Sequence, residues 1–217
     1  MSDAFYNFLW FGGYPAFWVS SSPVVLHAER ARRGGGFRRA SNHSSPYDIP
    51  LLMRHTARKL DFVSIVEVFR NPFVAWLYGS MNAFPLDRHK PDSPTVRVIL
   101  DRLERGRVVA MFPEGGFRKL EDSVVKGGKM RPGIGRLAEI ANVPIMPVVV
   151  VRSGLYSRFT SWLPLKRTRY GVIYGEPLEI RTDLDKSAAA AEIEQRLREA
   201  FAKLFDEISA HPRMGAG

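Results

Sequence analysis

From residue 37 onward, short apolar runs alternate with stretches of helical period, the pattern of a layered α/β fold. Strands are predicted over Phe37 to Asn42, Phe62 to Val68, Val108 to Phe112, Ile145 to Val151 and Tyr170 to Tyr174. The fourth, IMPVVVV, has no polar position and suits a strand covered on both faces. Helix starts stand at Asn71-Pro72 and Ser93-Pro94, where a capping residue precedes a proline tolerated in the first turn. Near the C-terminus Ile193, Leu197, Phe201, Leu204, Phe205 and Ile208 form one stripe between charged residues. That helix is expected to close the core; lying on a membrane is the alternative. The expectation is an α/β protein with one mixed-sheet domain flanked by helices, without internal repeats.

Ahead of that domain, Ala4 to Leu26 is a run of 23 uncharged residues, eight of them aromatic. About 20 apolar residues cross a bilayer as a helix, but Gly12, Gly13, Pro15, Ser20 to Ser22 and Pro23 interrupt this run. It therefore reads as an interfacial, membrane-associating helical segment, with a true span and a buried or partner-facing hairpin as alternatives. Phe5, Tyr6, Trp10, Tyr14 and Trp18 are rings that settle at headgroup depth. Arg30, Arg32, Arg33, Arg38 and Arg39 follow, as anionic lipid on the cytoplasmic face would favour. A signal peptide fits poorly, since MSD supplies no basic start. Residues 1–34 are assigned to this segment and 35–217 to the folded domain.

Composition narrows the classes. A chain of 217 residues with 45% apolar and 25% charged positions holds one core and is neither disordered, collagen-like nor polytopic. The net charge of +10 attracts an anion, and charge alone does not choose between nucleic acid, lipid headgroup and phosphorylated substrate. The basic residues are dispersed and no nucleic-acid motif is present, so nucleic acid is not expected as a partner. The absence of cysteine excludes disulfides, a thiol nucleophile and thiolate-held metals. His27, His55, His89 and His211 show no ligand spacing, so no metal site is expected.

The chemistry begins at Asn42-His43-Ser44-Ser45-Pro46-Tyr47-Asp48, at the end of a predicted strand. A turn leading into a helix near Pro46 lets Asp48 fold back on His43, and an imidazole oriented by a carboxylate accepts a proton from a hydroxyl. Taken alone, Asp48 reads equally well as a cap of the next helix. Downstream come FPLDR (84–88), FPEGGFR (112–118) directly after VVAM, MRPGIGRLA (130–138) and VPIMP (143–147).

These ordered blocks resemble the glycerolipid acyltransferase family typified by 1-acyl-glycerol-3-phosphate acyltransferase, over residues 37 to 151 and more weakly through YGVIYGEPLEI (170–180). The resemblance implies His43 as catalytic base and Asp48 as its orienting acid. It implies Arg88 as the arginine that meets the acceptor's phosphate, and Glu114 with Gly115 as an acceptor-binding pair. Pro144 and Pro147 match a structural block near the acyl site. Where the family commonly has FPEGTR, Gly116 and Phe117 stand here and the arginine is moved to Arg118. Lys126, Lys129 and Arg131 are further candidates for substrate phosphates. The expected reaction moves an acyl group from acyl-CoA or acyl-acyl-carrier-protein (acyl-ACP) to lysophosphatidic acid at a phospholipid surface, without a cofactor. The alternatives are another lyso-lipid acceptor, or a non-catalytic basic binding protein.

Overall fold

The computed structural model describes residues 12, 14–32, 37–56, 58–65, 70–72, 75–76, 79, 82–86, 93–131, 133–163 and 167–215. A sheet of seven strands runs in the order β1-β7-β6-β2-β5-β3-β4. The strands are β1 (Val24–Leu26), β2 (Phe37–Ser41), β3 (Leu60–Ile65), β4 (Ala83–Leu86), β5 (Val108–Met111), β6 (Ile145–Val151) and β7 (Gly171–Tyr174). Every neighbouring pair is parallel except β6 with β7, so the sheet is mixed. The helices are α1 (Tyr14–Ser20), α2 (Asp48–Arg54), α3 (Ser93–Glu104), α4 (Ile134–Ala141), α5 (Lys186–Ala210) and a short α6 (Pro212–Gly215).

The expected stripe on α5 is buried as a row, from Ala189 through Ile193, Leu197, Phe201, Leu204 and Phe205 to Ile208. It covers one sheet face with Ile145, Val149 and Ile173. The other face carries Leu51, Leu52, Phe62, Val108, Val148 and a tyrosine-rich group, Tyr156, Tyr170 and Tyr174. Asp185 starts α5 by accepting the N–H groups of Ser187 and Ala188, both at 3.0 Å.

Several elements depart from expectation. β3 begins at Leu60, because Asp61, fully buried, is neutralised inside the strand by Arg107 and Arg102. β1 and β4 are short edge strands with too few residues to show a period; Pro85 sits in β4, where an edge does not need every N–H. β1 lies inside the segment assigned to 1–34, and it pairs with β7, so the sheet begins before residue 35. Arg38 and Arg39, expected to face lipid, are instead fully buried in β2 near the middle of the sheet. Period two sends them to opposite faces. Arg39 reaches the Thr56 hydroxyl and the Ala31 carbonyl and lies over the Tyr174 ring. Arg38 donates to the Val143 carbonyl just beyond α4, and burial lowers its pKa to about 9. No described helix is long and apolar enough to cross a membrane.

Candidate active site

β2 ends between β5 and β6, and the carboxyl ends of these three strands build the site, as open α/β sheets do. Asn42 closes β2 with its side chain: Nδ2 donates to the Val150 carbonyl at 2.9 Å and Oδ1 accepts the Val150 N–H at 2.8 Å. The amide thereby imitates a strand residue, which leaves the next residue free to leave the sheet. That residue is His43.

Asp48, the first residue of α2, is fully buried and folds back. One of its oxygens accepts the N–H groups of Ser44 at 2.8 Å and Ser45 at 2.9 Å, and stands 3.0 Å from His43 Nδ1. The helix-cap reading of Asp48 does not hold, because α2 begins at Asp48 with no side-chain cap and the carboxylate instead accepts N–H groups of the preceding turn while standing beside the imidazole. Ser45 completes the turn by accepting the Tyr47 N–H on its hydroxyl. The His43 ring is stacked on Phe112 with centroids 3.8 Å apart and planes 14° apart, and Phe117 tilts over it at 4.4 Å. Held by a carboxylate at Nδ1 and by aromatic rings on its flanks, the imidazole has its Nε2 left for a substrate hydroxyl.

Glu114 is expected to meet the acceptor, but its carboxylate is fully buried and saturated by the protein. Oε1 accepts the Ser123 hydroxyl at 2.5 Å and the Val124 N–H at 2.9 Å, and Oε2 accepts the backbone N–H of His43. Its observed work is to hold the backbone of His43. Gly115, with φ at 67°, has Arg131 against it: a Cβ there would come within 3.0 Å of the arginine side chain. Arg118 donates its backbone N–H to the His43 carbonyl at 2.8 Å, while its exposed side chain lines a groove of about 570 Å³. Gly116 stands in open space. Lys126 lies over the Phe205 ring of α5 at 4.5 Å. Arg88 lies outside the described residues. Thus the structure gathers His43, Asp48, Glu114, Gly115, Gly116, Arg118 and Arg131 around one loop pair, with Lys126 turned to α5. Sequence reasoning missed Asn42, Phe112, Phe117 and Ser123 as parts of the site. Asn42 beside the histidine was a signal; Ser123 had none.

A base with an orienting acid, at the carboxyl edge of an α/β sheet and with no thiol in the chain, suits proton removal from an alcohol that attacks an activated acyl group. The chain belongs to the acyltransferase family: the family model described as "Acyltransferase" matches residues 23–151. It is an enzyme of that class, and the non-catalytic alternative falls. Among individual proteins it is similar to the 1-acyl-sn-glycerol-3-phosphate acyltransferase of Bacillus subtilis, 26% identical over 189 residues that span 83% of this chain and 88% of that protein. The enzyme of the same description from Streptococcus pneumoniae is 28% identical over 167 residues, 73% of this chain and 56% of its own length. The fold matches the crystal structure of the 1-acyl-sn-glycerophosphate acyltransferase PlsC from Thermotoga maritima, with a TM-score of 0.64 at 20% identity, over 93% of this chain and 79% of that one.

Proposed function

We propose that the chain transfers a fatty acyl group from a CoA or acyl-carrier-protein thioester to the free hydroxyl of 1-acyl-sn-glycerol-3-phosphate, giving phosphatidic acid. The observation that carries this is the buried Asp48 holding His43 Nδ1 at 3.0 Å, in a chain whose curated relatives bear that enzyme's description. His43 Nε2 takes the hydroxyl proton as the alcohol oxygen attacks the thioester carbonyl. The tetrahedral oxyanion collapses, the carbon–sulfur bond breaks, and the leaving thiolate receives the proton from the imidazolium. No bond between enzyme and acyl group is needed.

The oxyanion requires N–H donors that are not already engaged. Those of Ser44 and Ser45 serve Asp48, and that of Tyr47 serves Ser45. The N–H groups of Gly116 and Phe117, in the loop whose Phe117 touches His43, are the better candidates. Arg88 remains the proposed cation for the acceptor's phosphate. Work at a membrane surface is supported by exposed apolar side chains on two elements in contact, Trp18 and Val19 on α1 and Phe159 in the turn Phe159–Trp162. Arg38 and Arg39 no longer contribute to that argument.

A second acceptor reading has its own observation. Phe117, at 54% exposure, presents a ring beside His43 where the family's FPEGTR pattern has an arginine, which suits a lyso-lipid other than lysophosphatidic acid. The purified enzyme, one labelled acyl-CoA and a panel of lyso-lipids test both readings. Preferred transfer to lysophosphatidic acid, abolished in a folded His43→Ala variant, is expected. Transfer only to other lyso-lipids would install the second reading, and full turnover by His43→Ala would remove the mechanism.

A further inference from the structure

We infer that the groove flanking the His43–Asp48 pair seats a phosphate group carried by one of the two substrates, and that Arg152 and Arg158 share this work with Arg118. The inference rests on the acyl-transfer reading. The groove, about 570 Å³, lies between the carboxyl end of β6, the turn Ser153–Ser157, the loop after β5 and the C-terminal end of α5. Three arginines line it and no carboxylate does.

Several arginines elsewhere on the surface are ion-paired. Arg30 pairs with Glu176, Arg105 with Asp101, Arg136 with Glu139 and Arg181 with Asp183. Among the described residues the guanidinium groups of Arg118 and Arg158 have no such partner. Three cations facing one cavity in a chain of net charge +10 repel one another until an anion enters. A guanidinium grips two oxygens of a phosphate at once.

The backbone adds an independent sign. Arg152, the residue after β6, lies in the left-handed region, with φ at 63°, a conformation that glycine adopts without strain and arginine does not. What arginine supplies and glycine lacks is the guanidinium, which is steadied across the groove by donating to the Met214 carbonyl at 2.5 Å. Apolar Val125, Leu155 and Phe205 form the remaining wall, fit for a carbon chain next to a charged head. The groove also touches the catalytic pair's own supports. Ser44 lines it and gives its N–H to Asp48, and Arg118 lines it and gives its N–H to the His43 carbonyl.

Phosphate reaches this site from two sources, the coenzyme or carrier arm of the thioester donor and the headgroup of lysophosphatidic acid. The test uses the full chain with Arg158→Ala, Arg158→Lys and, as a charge control away from the groove, Arg105→Ala. Binding of coenzyme A alone is followed by calorimetry. Steady-state assays vary palmitoyl-CoA, palmitoyl-ACP and lysophosphatidic acid in turn. Arg158→Ala is expected to raise the KM for one substrate about tenfold, with Arg158→Lys recovering part of the loss. A rise for the thioesters, matched by weaker coenzyme A binding, assigns the groove to the donor; a rise for lysophosphatidic acid alone assigns it to the acceptor. No change beyond that of Arg105→Ala in any KM or in coenzyme A binding overturns the inference. If the wild type fails to acylate lysophosphatidic acid yet binds coenzyme A in an Arg158-dependent way, the acceptor reading falls and the groove stands.

Discussion

Glu114 reaches back 71 residues to hold the peptide N–H of His43, and its other oxygen ties down Ser123 and Val124. A buried carboxylate meeting three donors is well satisfied, whereas an amide in its place turns an N–H toward one of them. Glu114→Gln is therefore expected to cost about 1–3 kcal/mol of stability. Displacing the base by even an ångström costs about a hundredfold in turnover, so kcat falls far more than either KM rises. Kinetics on the folded variant check this, and a loss confined to KM for the acceptor would instead return Glu114 to substrate binding. The histidine, its acid and the FPEG glutamate were legible as a group from their motifs. Whether the glutamate faces substrate or backbone was not, because the same residue type at the same spacing serves both, and only the position of Ser123 decides.

Among the elements, α2 shows how a second histidine is used without catalysis. His55 follows its last turn, its Nε2 is hydrogen-bonded to the Tyr170 hydroxyl at 2.7 Å, and its carbonyl accepts the Tyr174 hydroxyl at 2.9 Å. The helix that carries Asp48 is thus tied at its far end to β7. Burial chiefly, and Arg54 secondarily, lower the His55 pKa to about 4 from the ordinary 6.5. The neutral ring is the folded form, so its contribution is complete above the unfolded value. As pH falls from about 6.5 towards 4, the unfolded chain takes up a proton that the folded one refuses, and as much as about 3 kcal/mol of stability is lost. Urea midpoints between pH 7 and pH 4.5 should fall more steeply in the wild type than in His55→Gln, and parallel profiles would contradict the assignment. β2 teaches a related lesson. FRRAS reads as a strand whose arginines meet anionic lipid, yet both arginines are buried, because long side chains find carbonyls, a hydroxyl and an aromatic face on either side of the sheet.

For the molecule as a whole, the sheet order sets β2 between β5 and β6, so that residues from three distant parts of the chain meet at one edge. The same topology puts α1 against the turn Phe159–Trp162, leaving Trp18 63% and Phe159 79% exposed on two elements in contact. If this is the face that meets lipid, Trp18→Ser combined with Phe159→Ser lowers partition onto anionic vesicles by about tenfold or more, since each ring withdraws sizeable apolar area from water. Co-sedimentation measures it, and undiminished binding would move the membrane face elsewhere.

By itself the sequence determined the alternation of strands and helices and the burial of the α5 stripe, which depend on periods within a few residues, and it made the pairing of His43 with Asp48 one of two readings of their spacing. The tertiary structure alone decided that Arg38 and Arg39 lie inside, that the edge strands β1 and β4 exist, that Glu114 braces a backbone, and that Arg118, Arg152 and Arg158 share a groove. Each of those depends on which distant segment the sheet brings alongside, and contacts at such separation leave no period in the chain.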